Sequence, residues 1–234
     1  PNAVIVAGGG IPSNLMKEVF LSAPCVDFIS YGEGEIAISE FICCENEKKY
    51  LESSVSLVTR EKLERGFRFS FEHIEDLDEI PALDFSLIEL EKYSSHAHLQ
   101  KAKNMVSIPL MFSRGCPFNC CFCASHSVHG KKVRYNSLER IKADIELFID
   151  KYHVNTITVW DDNFFVDKKQ AMALLDYFME LNLTVEFVNG FPVYRMDEDI
   201  AEKLKKSGID VVTLAIESGN SRILRDIIHK PLKL

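Results

Sequence analysis

Residues 106–123 read VSIPLMFSRGCPFNCCFC. Val106–Ser113 has the apolar character of a strand, and it runs directly into a loop. That loop holds four cysteines within eight residues: Cys116, Cys120, Cys121 and Cys123. Downstream the pattern alternates. Ser137–Tyr152 has the spacing of an amphipathic helix. Thr156–Trp160 is a strand followed by the loop Asp161-Asp162-Asn163-Phe164-Phe165. Asp167 and Gln170 resemble a capping box opening a helix to Leu181. Val185–Val188 is a strand, and Asp197 caps a helix that Gly208 stops. Asp210–Ile216 is a strand ending in Glu217-Ser218-Gly219. Residues 221–229 form a last helix, stopped by Pro231. Four βα units in order predict a parallel α/β architecture, whose chemistry sits at the C-terminal ends of the strands. The cysteine loop, the Asp161–Asn163 loop and the Glu217–Gly219 loop all fall there.

Upstream, Ala3–Ala7 is a continuous apolar run ending in Gly8-Gly9-Gly10, which reads as a buried parallel strand and a tight turn. Residues 13–22 have helical spacing, with Ser13 as N-cap. Val26–Ser30 is a second strand, ending at Tyr31-Gly32-Glu33-Gly34-Glu35, and residues 35–44 are helical again. Residues 46–105 read as a connecting region. Lys/Glu-rich segments surround strand candidates at Val55–Thr59 and Phe67–Phe71, and Pro81 breaks an acidic stretch.

Composition sets outer bounds. Of 234 residues, 47% are hydrophobic and 26% charged, which excludes a disordered, collagen-like or coiled-coil main body. Residues 1–105 carry 10 Lys/Arg against 18 Asp/Glu, a net of −8. Residues 106–234 carry 17 of each and are neutral. Neither part has the basic excess of a general nucleic-acid binder. No apolar run approaches the ~18–20 residues of a membrane span, and Pro1–Gly10 lacks a basic leader. These features predict a cytoplasmic protein. Pro1 and the βα pattern interrupted at Leu234 read as a fragment cut at both ends.

An odd count of seven clustered cysteines is unlike a secreted disulfide framework and fits a cytosolic metal site. Cys116, Cys120 and Cys123 have C-x3-C-x2-C spacing. Three thiolates on one short loop can hold three corners of a 4Fe-4S cube and leave the fourth iron open to a ligand. The competing reading is a structural zinc site with Cys121, His126 or His129 as fourth ligand. Cys121 is expected to be a buried or partly buried free thiol. Cys25, Cys43 and Cys44 are expected in the core, where free Cys behaves as a small hydrophobe. Lys131, Lys132 and Arg134 read as a solvated basic turn.

The loop resembles the signature of the radical S-adenosylmethionine (radical SAM) superfamily, C-x3-C-x-aromatic-C, with Phe122 as the aromatic. The resemblance implies a partial parallel (β/α) barrel, with about four of six βα units in residues 106–234. It implies a 4Fe-4S cluster on Cys116, Cys120 and Cys123, with SAM chelating the open iron through its amino and carboxylate groups. Reductive cleavage of SAM would give a 5′-deoxyadenosyl radical that abstracts a substrate hydrogen. An electron donor such as flavodoxin or ferredoxin is implied as partner. By position, Asp161, Asp162 and Asn163 would bind the SAM ammonium, or else form a solvated acidic turn. Arg195, in NGFPVYRMD, would pair with the SAM carboxylate, or else be a surface arginine. Glu217 and Ser218 would bind ribose hydroxyls, or else belong to a plain βα turn.

Residues 1–45 resemble the second half of a Rossmann-like cobalamin-binding domain, found ahead of the radical SAM core in one branch of the superfamily. Gly8 and Gly9 would lie near the cobalamin nucleotide tail, with Tyr31 and Gly32 on the neighbouring loop. The resemblance adds cobalamin as a candidate third cofactor. Together these features imply a radical SAM enzyme that methylates or rearranges an unactivated carbon of an unidentified substrate. Two rivals stand beside it: a radical SAM methylthiotransferase acting on RNA or protein, and a zinc-stabilised interaction module.

Overall fold

The computed structural model describes residues 3–70, 72–93, 105–230 and 232, which divide into two compact units. No helix among the described residues is long and apolar enough to cross a membrane.

The first unit comprises residues up to Ile80 together with 115–117 and 122–133. Strand β1 (Val6–Ala7) leads into helix α1 (Gly10–Asn14), and α2 (Met16–Ser22) follows at once. The single helix expected over 13–22 is broken at Leu15, which joins the two at φ −121°, ψ 45°. Ser13 is not an N-cap. It lies inside α1, buried, and its Oγ accepts the Gly32 N–H at 3.1 Å. Strand β2 (Phe28–Ser30) pairs parallel with β1, and helix α3 (Glu35–Cys43) follows it. Helix α4 (Glu47–Ser53), strand β3 (Leu57–Val58) and helix α5 (Arg60–Glu64) complete the elements, with β3 antiparallel to β2. Residues 46–80 therefore pack in this unit.

Strand alternation sorts this core into two layers. Ile29 and Val58 point to one face and are covered by Phe20 of α2. Phe28 and Leu57 point to the other and are covered by Ala37 and Phe41 of α3. No strand forms over 67–70, where Ser70 N–H donates to Val55 O at 3.0 Å; Phe71 lies outside the described residues.

The second unit comprises residues 81–114, 118–121 and 134–234. Strand β4 (Ser107–Leu110) ends earlier than the expected Ser113. The chain then forms a separate short strand, β5 (Ser113–Arg114), antiparallel to β6 (Arg134–Tyr135). Helix α6 (Leu138–Tyr152), strand β7 (Thr156–Val159), helix α7 (Lys168–Glu180) and strand β8 (Thr184–Phe187) follow. β4, β7 and β8 form one parallel sheet in the order β4-β7-β8. Strand β9 (Phe191–Pro192), helix α8 (Glu198–Lys206) and strand β10 (Leu214–Ala215) continue the pattern, with β9 and β10 parallel. The strand expected over 210–216 is thus confined to two residues. The last helix is a π-helix, Ile223–Ile228, ending at left-handed His229; the expected stop at Pro231 lies outside the described residues.

Local signals place these helices well. Ser137 Oγ accepts the Arg140 N–H, Asp167 Oδ1 accepts that of Gln170, and Asp197 Oδ1 accepts that of Ile200. The Gln170 amide does not close a capping box; it donates to Asn136 O instead. Ile141, Ile145 and Phe148 of α6 and Leu174, Leu175 and Phe178 of α7 are buried against Ile157, Val159 and Val185. Each contributes about 1.5–3 kcal/mol of hydrophobic stabilisation. The result is an α/β unit whose strand ends carry the loops singled out by sequence.

Candidate functional site

The cysteine loop is residues 115–133, between two strands that pair with each other. Ser113 faces Tyr135 and Arg114 faces Arg134, so the two ends of the loop are clamped together. Arg134 is buried there and is not part of a solvated turn, whereas Lys132 is exposed and ion-paired with Glu75.

At the outgoing end, Gly115 has φ +94°, and a Cβ there would stand 2.4 Å from the Lys132 carbonyl oxygen. Only glycine fits such a left-handed, close-packed position. Cys116 N–H donates to Gly130 O at 3.3 Å. The stretch 118–121 has its own anchors within the second unit. The Phe118 ring meets Tyr194 edge-on at 5.1 Å, and Cys121 N–H donates to Ile228 O at 3.0 Å.

Cys116, Cys120 and Cys123 form no disulfide and are of intermediate exposure, and Phe122 is exposed. Among the described residues, no three Cys, His, Asp or Glu side chains form a group that could hold a metal ion. A cube of four irons takes each thiolate at a different corner, so its ligands do not have to meet at one point. The donor set suits it: three soft thiol ligands, none in a disulfide, on a loop with clamped ends. Cys121 is exposed, contrary to the expected burial, and so are Cys25 and Cys43. Cys43 follows Phe41 by two residues, about 200° around the helix, so burying Phe41 turns Cys43 outward. Cys25 sits in the turn between α2 and β2. Cys44 is part-buried, its Sγ donating to Phe41 O at 3.1 Å.

The loop after β7 is built around Asp161, which is 4% exposed. Its carboxylate accepts the Phe112 N–H at 2.9 Å and the Ser113 hydroxyl at 2.5 Å. These bonds satisfy the backbone where β4 breaks off, which is why the strand ends before Phe112. Asp161 therefore supports the entry to the cysteine loop. Burial pushes its carboxyl up to about 6, against the hydrogen bonds from Ser113 and Phe112 that pull it down. Because the folded value is raised, the folded unit binds more protons than the unfolded chain between about pH 4 and 6. Stability from this group falls as pH rises through that window. Asp161→Asn is expected to remove the fall, on the order of 3 kcal/mol. Urea midpoints measured from pH 4 to 7 check this; parallel profiles for both proteins would contradict it.

Asn163 is 7% exposed. Its Nδ2 donates to the Tyr194 hydroxyl at 3.0 Å, while its Oδ1 is buried with no hydrogen-bond partner among the described residues. Such an orphaned acceptor costs ~1–3 kcal/mol unless a ligand supplies a donor. Tyr194 links Asn163 to Phe118 of the cysteine loop, a role sequence reasoning missed; its neighbour Arg195 was the only signal near it. Arg195 lies in a 3₁₀ turn (Val193–Arg195), not at a strand end. It is exposed, over the Tyr194 ring at 5.6 Å, with one Nη donating to Val166 O at 3.3 Å. Asp162 is part-buried beside Asp161.

Glu217 has φ +60° and pairs with Lys230 Nζ at 2.6 Å. Ser218 Oγ accepts the Asn220 N–H at 3.1 Å. In the first unit, Gly9 has φ +88° and stands before α1, with nothing within 4 Å of a Cβ placed on it. Gly8 lies against Ser30, the Gly32 N–H is held by Ser13, and burial raises the Tyr31 phenol.

Residues 110–233 match the family model of the Radical SAM superfamily. The chain is 29% identical over 226 residues to an uncharacterized methyltransferase of Pyrococcus horikoshii, covering 97% of this chain and 48% of the relative. It is 33% identical over 161 residues to the cytidylyl-2-hydroxyethylphosphonate methyltransferase of Streptomyces wedmorensis, covering 68% of this chain and 30% of that protein. The chain thus spans less than half the length of these relatives. Its fold matches that of the cobalamin-dependent S-adenosylmethionine radical enzyme OxsB, solved with aqua-cobalamin and S-adenosylmethionine bound. That match has a TM-score of 0.58 at 18% identity, covering 98% of this chain and 33% of the other.

Proposed function

The chain belongs to the radical SAM superfamily, and from that premise we propose that it is the cluster-binding part of a cobalamin-dependent radical SAM methyltransferase. The observation that carries this reading is the C-x3-C-x2-C trio of cysteines, Cys116, Cys120 and Cys123, on one clamped loop after β4. They would hold a 4Fe-4S cluster with one iron open to SAM. When bound, that cluster supplies the electron that cleaves SAM reductively to a 5′-deoxyadenosyl radical.

The chain's own residues bind and orient. Asn163 Oδ1 is an acceptor awaiting a donor, which suits the SAM ammonium, with Asp162 adding negative charge. Arg195 presents an exposed guanidinium suited to a carboxylate. Glu217 and Ser218 follow β10 at the position assigned to ribose hydroxyls. Phe122, whose ring is exposed, immediately precedes the last thiol.

The first unit supplies the cobalamin part of the reading. The turn leaves open space beside the backbone at Gly9, as a ligand lying on it requires, while Gly8 packs on Ser30, and Tyr31 and Gly32 form the adjacent loop. A flavodoxin or ferredoxin would deliver the electron. The methyltransferase names of both relatives favour methyl transfer over rearrangement.

The test is anaerobic reconstitution of the full-length protein, followed by SAM and a strong reductant. Release of 5′-deoxyadenosine is expected even without substrate. Turnover with cobalamin should add S-adenosylhomocysteine in roughly equal amount, because methylation consumes a second SAM. Protein with an intact cluster and no 5′-deoxyadenosine would sink the radical SAM activity. Protein that makes 5′-deoxyadenosine but neither binds hydroxocobalamin nor makes S-adenosylhomocysteine would sink the methyltransferase part alone.

A further inference from the structure

Residues 72–75 lie in the region expected to connect two domains, yet they grip the loops of the first unit. The Ile74 N–H donates to Glu33 Oε2 at 3.2 Å, and Glu33 is buried in the turn after β2. Glu75 pairs with Lys132 on the returning limb of the cysteine loop. Between them, His73 packs on Gly130. A Cβ built on Gly130 would stand 2.5 Å from His73 Cε1 and 3.2 Å from Nε2, and Gly130 has φ +74°. The imidazole fills the space any side chain at 130 would need. The Gly130 carbonyl in turn accepts the Cys116 N–H at 3.3 Å.

We propose that His73 is a positioning residue for the cluster loop, fixing the Gly130 carbonyl so that it holds the Cys116 amide. The proposal rests on the cluster reading above. An amide N–H near an iron–sulfur cluster can hydrogen-bond the cluster's sulfur, which tunes its reduction potential. With the Gly130 carbonyl fixed, the Cys116 N–H is committed to the backbone and withheld from sulfur. Without the ring at 73, Gly130 gains room and that N–H is released.

The experiment uses the full-length protein, reconstituted anaerobically, with iron content, the EPR spectrum of the reduced cluster and a redox titration as readouts. His73→Ala is expected to load iron, show an altered spectrum and reduce at a less negative potential. Its release of 5′-deoxyadenosine should fall about tenfold, the usual cost of losing a group that orients a metal ligand. His73→Phe keeps a flat ring of similar size and should restore spectrum and potential. Gly130→Ala should lose the cluster, and the double variant with His73→Ala should regain part of it, since the ring that met the new Cβ is gone. If His73→Ala fails to load iron, His73→Phe must still load it with the wild-type spectrum. A wild-type spectrum and potential in His73→Ala, or a double variant no better than Gly130→Ala alone, would overturn the proposal. Wild-type protein that holds no cluster would instead overturn the cluster reading.

Discussion

Replacing Cys116, Cys120 or Cys123 by Ala, each alone, is expected to abolish the brown absorbance of the anaerobically reconstituted protein. Iron should fall from about four per chain to near zero. Each thiolate would hold a different corner of the cube, so two could not substitute for three. Cys121→Ala is expected to keep the full complement. The thiol of Cys121 is exposed, and its backbone N–H, which the substitution leaves in place, is held by Ile228 O. The four variants separate the readings of the loop. A zinc site with Cys121 as fourth ligand would make all four equally damaging and would bind zinc, without sulfide, in the wild type. Metal and acid-labile sulfide analysis on the five proteins decides the matter. Cys121→Ala as damaging as the rest would refute the ligand assignment.

Gly115→Ala is expected to be as severe, although it removes no ligand. Alanine at φ +94° costs about 1 kcal/mol from backbone conformation alone. The larger effect is steric. The new Cβ would stand 2.4 Å from Lys132 O and 3.1 Å from Lys132 C, which are backbone atoms and not the far end of a flexible side chain. Nor can the backbone at 132 retreat cheaply, because Arg134 is already paired with Arg114. The loop must open at its base, and the thiol one residue on, Cys116, moves with it. Near-complete loss of iron is expected in an otherwise folded protein, read by circular dichroism and metal content together. Gly66→Ala is the control: φ is +69° there, but nothing lies within 4 Å of the added Cβ. It should lose only the conformational term and keep the cluster. Equal iron in the two variants would show that the approach to Lys132 does not shape the loop.

The sequence by itself determined which cysteines share the loop, the parallel α/β alternation and most helix starts. Those features are local. A C-x3-C-x2-C spacing sets which thiols share a loop, and Asp197 caps α8 through a residue three positions away. What decides a residue's role in the site is often a partner far along the chain, and only the tertiary structure supplied that. Asp161 looked like a SAM ligand because it follows a strand end. Its carboxylate is instead taken by Phe112 and Ser113, 49 and 48 residues earlier. Ser13 looked like a cap, and its hydroxyl holds Gly32. Arg134 looked solvated and is buried beside Arg114. Tyr194 and His73 carried no motif, yet one bridges Asn163 to Phe118 and the other seats Gly130. The physical reason is common to all five. Periodicity and spacing report which residue types can lie near one another along the chain. Which partner a side chain meets, by hydrogen bond for Asp161 and Ser13 or by packing for His73, depends on which distant segments the core brings together.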